Sequence, residues 1–205
     1  MKVEIRSDNT ALISGYVNVT ERDSRPLRDA AGPFIEKVKQ KTFQRALESA
    51  DAVGLMFNHR RSLGSTKDAL TLKEDSIGLY AEAVINDPEV LEKARNKELR
   101  GWSFGFVCEK DNWGQREDGM RQRTLEEIRL EEVSILDCTP AYIATSIEMR
   151  GEEETLKECR LYEEDVETIV DETPEPAPER AADTEQQAQT DTMGMYKKRF
   201  ETLIL

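Results

Sequence analysis

The sequence predicts a mainly β fold flanked by α-helices and followed by an acidic extension. Three observations carry this. KVEIR (2–6), ALISGYVNV (11–19) and RGWSFGFVCEK (100–110) alternate apolar and polar residues at period two, the pattern of half-buried strands. Helical spacing in the first 150 residues is confined to two stretches, 41–50 and 86–99. Beyond Arg150 the composition turns acidic and poor in large apolar side chains.

Taken in order, residues 2–6 and 11–19 are strands, with Gly15 marking a bulge or bend in the second. TERDSRPLRDAAGP (20–33) reads as loop. KTFQRALESA (41–50) sets Phe43 and Leu47 four apart with Ala46 and Ala50 beside them, which predicts a short helix. AVGLMFN (52–58) is an apolar strand. LGSTKDALTLKED (63–75) and IGLYAEAVI (77–85) form an antiparallel pair that turns around 74–76. NDPEVLEKARNKEL (86–99) is the clearest helix. Asn86 or Asp87 caps it, Pro88 fits the first turn, and Glu89 and Glu92 sit at the positive end of its dipole. In RGWSFGFVCEK, Trp102, Phe104 and Phe106 share one face while Ser103, Gly105 and Val107 share the other. DNWGQREDGM is a hairpin-like connection, and RTLEEIRLEEVSILD (123–137) is one long strand or two short ones.

Residues 1–150 are therefore read as one β domain. EEETLKECRLYEEDVETIV (152–170) predicts an acidic helix within the segment 151–170. DETPEPAPERAADTEQQAQTDT (171–192) has no large apolar residue and predicts a disordered acidic linker. Residues 193–205 recover apolar spacing at Met195, Phe200, Leu203 and Ile204, as in a short amphipathic tail. The net charge of -13 belongs mostly to the extension. Residues 151–192 hold 15 acidic and 3 basic side chains, whereas residues 1–150 hold 26 and 23. Nothing here is a nucleic-acid footprint.

Composition also excludes chemistry. No apolar run is long enough to span a bilayer, and MKVEIRSDNT lacks the apolar core of a secretory signal, so a soluble cytoplasmic protein without membrane contact is expected. Cys108, Cys138 and Cys159 are odd in number and widely spaced, which argues against a disulfide framework and a zinc site. A single histidine, His59, rules out HExxH metalloproteases and nucleases built on a histidine pair. No metal and no cofactor is expected.

What remains is a nucleophile working with His59. A Ser–His–carboxylate set needs no sequence order, because its members meet only in the fold. The imidazole takes the hydroxyl proton, and the carboxylate fixes its tautomer. Ser103 is the most suggestive serine, set between Gly101 and Gly105, which permit close approach of a substrate backbone. Ser134 is a rival, and Cys108 and Cys138 are weaker ones that suit buried small apolar positions better. Glu131 and Glu132 are adjacent and point to opposite faces, and alternation alone does not choose between them.

The ordered set ISGY (13–16), KTFQRAL, FNH (57–59) with Gly64 beyond it, IGLYAEAVI, GWSFGF (101–106) and LEEVSILDCTP (130–140) resembles the prohead proteases of tailed bacteriophages, related in fold to the herpesvirus assemblins. The match covers roughly residues 10–148. No single string is specific; the order, with a helix before GWSFGF, is. The resemblance implies His59 as general base, Ser103 as nucleophile and Glu132 as the third member. It departs from the family at Lys41-Thr42-Phe43, where a Gly-Ala-Phe-like turn is common, and at Pro140-Ala141-Tyr142, where Pro-Ala-Asn is common.

What the resemblance implies is a closed or nearly closed antiparallel β-barrel with surrounding helices. It also implies a serine endopeptidase that cleaves phage scaffold, major capsid protein and itself inside the assembling prohead in the host cytoplasm. Assemblins act as dimers, so a homo-oligomer is expected by analogy. Trimming of residues 151–205 by the enzyme itself is a further expectation, prompted by the change in composition after Arg150. Two other classes compete: a catalytically inactive barrel serving as capsid scaffold, and an unrelated β-domain that binds protein partners with His59 incidental.

Overall fold

The computed structural model describes residues 1–137, 146–147, 156–163 and 166–170, all within one compact unit, Met1–Asp171. The expectations for residues 171–192 and 193–205, for Cys138 and for Pro140-Ala141-Tyr142 lie outside the described residues. The elements in chain order begin with β1 (Lys2–Ile5), β2 (Ala11–Val19), β3 (Leu27–Asp29), β4 (Gly32–Val38), α1 (Thr42–Ser49), β5 (Gly54–Phe57) and β6 (Arg61–Ser65). There follow β7 (Leu70–Glu74), β8 (Gly78–Ile85), α2 (Pro88–Arg95), β9 (Gly101–Gln115), β10 (Arg121–Leu136), β11 (Ser146–Ile147), β12 (Leu156–Glu163) and β13 (Glu167–Val170).

Period-two alternation builds the first sheet, ordered β13-β1-β2-β8-β7. Val3, Ile5, Ala11, Ile13, Leu79 and Ala81 are buried on its inner face. The irregularity in β2 falls between Tyr16 and Asn18, just past the Gly15 expected to mark it. Gly78 is required there: a Cβ would lie 2.1 Å from the Asn18 carbonyl oxygen. The β7–β8 turn is held by Asp75, which accepts the amides of Ile77 and Gly78 at 2.8 and 3.1 Å and the Tyr16 hydroxyl at 2.8 Å.

The second sheet runs β11-β12-β9-β10-β4-β3, with β5 and β6 attached beside β10. All of RTLEEIRLEEVSILD but its final Asp137 belongs to one strand of 16 residues. Its first half pairs in parallel with β4 and its second half in parallel with β5, so α1 bridges two neighbours of one strand. Phe43 of α1 is fully buried and meets Phe104 edge-on at 5.3 Å, which ties the helix to the core shared by both sheets. Helix α2 is capped by Asp87, whose carboxylate accepts the Val90 amide at 3.0 Å. No helix among the described residues is long and apolar enough to cross a membrane.

The mainly β class holds and the barrel type is not confirmed, while two expectations, the helix over 152–170 and an all-loop stretch over 20–33, are corrected. No closed barrel is found among the described residues, and the pairing is not wholly antiparallel: β10 with β4, β10 with β5, and β1 with β13 are parallel. The crossover through α1 keeps β4 and β5 running in one direction alongside β10. The helix over 152–170 is instead β12 and β13. Helix-forming Glu, Leu, Lys and Arg are overruled there because β9 and β1 each present an open strand edge whose backbone groups need partners. The compact unit accordingly extends past residue 150 to Asp171. Residues 20–33 are not all loop, since β3 and the start of β4 fall within them.

Candidate active site

Strand β5 delivers the histidine. Past Phe57 the chain turns, and Asn58 and His59 both take left-handed backbone angles, φ 52° and 57°. Such angles cost roughly 1–2 kcal/mol per residue outside glycine, with asparagine among the better tolerated. The cost is offset by four hydrogen bonds to the end of β10. The Asn58 amide donates to the Ile135 carbonyl at 2.9 Å, and the Asn58 side-chain amide donates to Asp137 Oδ1 at 2.9 Å. The Asp137 amide returns a bond to Asn58 Oδ1 at 3.2 Å, and the His59 amide donates to Ser134 Oγ at 2.8 Å. Lys93 of α2 holds Asp137 from the other side at 2.9 Å. The imidazole is thereby aimed at the β9–β10 ladder.

That ladder sets the other two side chains. Ser103 lies opposite Ser134, and Glu132 lies opposite Gly105. Cross-strand partners share a face, so Ser103 and Glu132 sit diagonally on one face. Gly105 has no side chain to obstruct the space between them. A bulge between Leu130 and Glu132 breaks the alternation and turns Glu131 outward, where Arg129 donates to it at 2.6 Å. Glu132 is buried at 3% exposure.

His59 Nδ1 lies 2.6 Å from Glu132 Oε1, and His59 Nε2 lies 2.8 Å from Ser103 Oγ. The structure thus brings His59, Ser103 and Glu132 together through the two nitrogens of one ring, with Ser103 1% exposed. Ser134 is fully buried and spends its oxygen on the His59 amide. Cys108 is half-buried, and burial pushes its thiol pKa up, away from the thiolate that a nucleophile needs.

Strand β12 covers the group. It pairs antiparallel with β9 so that Leu161 lies opposite Ser103, and the Ser103 hydroxyl donates to the Arg160 carbonyl at 2.7 Å. Burial disfavours the charged form of His59, but hydrogen bonds with Cys159 and Glu132, and their electrostatic attraction, outweigh it and raise the pKa to about 9. These two facts agree. With the Ser103 hydroxyl directed at the Arg160 carbonyl, its oxygen is free to accept from Nε2–H of a charged ring, the form that the contacts with Cys159 and Glu132 favour. His59, Glu132 and Cys159 also place three ligand atoms within 4.8 Å of one another, the one such group among the described residues.

Sequence reasoning did not single out Asn58, Asp137 or Lys93 as supports of the histidine. Asn58 carried a legible signal, since asparagine tolerates the left-handed turn that ends β5. Cys159 and Arg160 carried none, because only strand pairing brings them to the site. A family model described as caudovirus prohead serine protease matches residues 1–158. No curated protein and no solved structure matches the chain.

Proposed function

The chain belongs to the caudovirus prohead serine protease family, and on that premise we propose that it is a capsid-maturation endopeptidase in which Ser103 is the nucleophile, His59 the general base and Glu132 the orienting acid. The observation that carries the reading is the pair of contacts made by one imidazole, 2.8 Å to Ser103 Oγ and 2.6 Å to Glu132. With Nε2 unprotonated, the ring accepts the Ser103 proton as Oγ attacks the peptide carbonyl. The imidazolium, stabilised by buried Glu132, then returns the proton to the leaving amine. Water hydrolyses the acyl-enzyme by the same relay. Ser134 and Asn58 act through His59 by holding its backbone.

The substrates in this reading are scaffold and coat-protein segments and the protease itself, cut inside the assembling shell. The test is co-expression with the scaffold–coat partner, as wild type and as Ser103→Ala, followed by intact-mass analysis. Fragments from the wild type alone support the reading. Equal cutting by both forms removes Ser103 from the nucleophile's role.

A further inference from the structure

Strand β12 does more at the site than cover it. Residues Lys157–Glu163 pair antiparallel with Val107–Gly101 on the edge of β9 that β10 leaves open. An open edge beside a nucleophile is where an extended peptide adds itself as a strand. The segment presents a main-chain carbonyl, that of Arg160, 2.7 Å from Ser103 Oγ.

Its side chains enter a prepared charged site. Glu36 on β4 and Arg123 on β10 are register partners, buried at 3% and 8% with β12 in place. Arg160 forks onto Glu36 at 2.6 and 3.0 Å, and Arg123 forks onto Glu158 at 2.7 and 2.9 Å. Arg160 also reaches Glu158 at 2.6 Å, and its guanidinium lies over the Phe106 ring at 5.4 Å. Asp111 occupies the remaining face of Arg123 at 2.6 Å. Without β12, Glu36 would keep only the single contact from Arg123 at 3.1 Å, and Arg123 would lose its fork. The complement in geometry is a strand carrying an arginine and, two residues before it, a glutamate, each meeting its partner two-pronged.

We propose that β12 lies in the groove a substrate strand uses, and that Glu36 and Arg123 are specificity-determining residues that read an arginine at the carbonyl facing Ser103 and a glutamate two residues earlier. This rests on the protease reading above. The substrate class is extended peptide with the pattern Glu-x-Arg, and Glu158-Cys159-Arg160 of this chain is one instance. In the productive step the Ser103 proton passes to His59 Nε2 and Oγ bonds to the arginine carbonyl carbon. The C–N bond to the next residue breaks, and its nitrogen takes the proton from His59. In the arrangement present, the hydroxyl donates to the carbonyl oxygen, so the strand is bound and unattacked.

The test uses the full chain and a reporter in which residues 154–166 link two folded proteins. Cleavage is read by intact mass, and a fluorophosphonate probe reports independently on Ser103. The expected result is a cut between the equivalents of Arg160 and Leu161. Arg160→Ala or Glu158→Ala within the linker slows it at least about tenfold, because the enzyme's buried charges lose their partners. These linker changes leave the fold of the enzyme untouched. In the enzyme, Glu36→Gln weakens the preference for arginine over alanine. If the probe labels Ser103 but the altered linkers are cut as fast, or at another bond, or no linker is cut, the proposal is overturned and the protease reading stands. If Ser103 is not labelled and nothing is cut, both fall.

Discussion

The hydroxyl oxygen of Ser134 accepts the backbone N–H of His59 at 2.8 Å, directly across the ladder from Ser103. A serine that resembles a nucleophile in the sequence is thus a support for the base. Ser134→Ala leaves a buried amide unpaired, which costs about 1–3 kcal/mol. The expected outcome is a fall in kcat of roughly tenfold as the ring shifts, with fluorophosphonate labelling of Ser103 retained. Ser103→Ala abolishes labelling altogether. A Ser134→Ala protein that loses labelling while remaining folded by circular dichroism contradicts this assignment.

His59 is the only histidine, so its ring resonances titrate without overlap. The expected NMR midpoint is about 9, and it moves down in Cys159→Ala, which removes a hydrogen bond that favours the charged ring. The sign for stability follows. A folded-state pKa raised above the ordinary 6.5 adds stability that is fully present below 6.5 and is lost as the pH rises through about 9. The amount is on the order of 3 kcal/mol. Urea midpoints measured across that window should decline in the wild type, and this decline should be absent in His59→Gln.

Asn58 meets two demands, a left-handed backbone and a clamp on Asp137. Asn58→Gly keeps the first and loses the second, while Asn58→Ala loses both. Stability should therefore fall in the order wild type, glycine, alanine, with the two variants separated by about 1 kcal/mol. Activity should drop in both by a similar factor, since both release the carboxylate that anchors the turn. Chemical denaturation with reporter cleavage separates the two effects.

At the start of α1, Lys41 takes φ 66°, in the left-handed region that favours glycine, and Glu74 accepts the amides of Lys41 and Gln44 at 2.7 and 2.6 Å in place of a side-chain cap. Lys41→Gly relieves the left-handed strain and retains the amide. It should stabilise the protein by about 1 kcal/mol, after allowance for the entropy glycine adds to the unfolded chain. A thermal midpoint that falls instead refutes strain at this position.

Where a pattern was local, the sequence was legible. The turn between β7 and β8 and both helices follow from periodicity, a capping aspartate and an early proline, whereas 63–75 divides between β6 and β7, and periodicity left open whether 123–137 forms one strand or two. The choice of Glu132 over Glu131 did not follow from alternation, because a bulge at that point resets which residue faces Ser103. The acidic stretch after residue 150 misled for a related reason. Its helix-forming composition is a local preference, and the open edges of β9 and β1 outweigh it.

By itself, then, the sequence determined the β-rich class, the single imidazole, and a short set of partners for it, since residue types and periods are properties of neighbouring positions. Only the tertiary structure decided that Asn58, Asp137 and Lys93 hold the histidine, that Ser134 supports it, that Cys159 reaches it, and that the Arg160 carbonyl meets Ser103. The Asn58, Ser134 and Arg160 contacts join residues 57 to 79 positions apart, and such distances are closed by strand register and core packing, which no local pattern encodes.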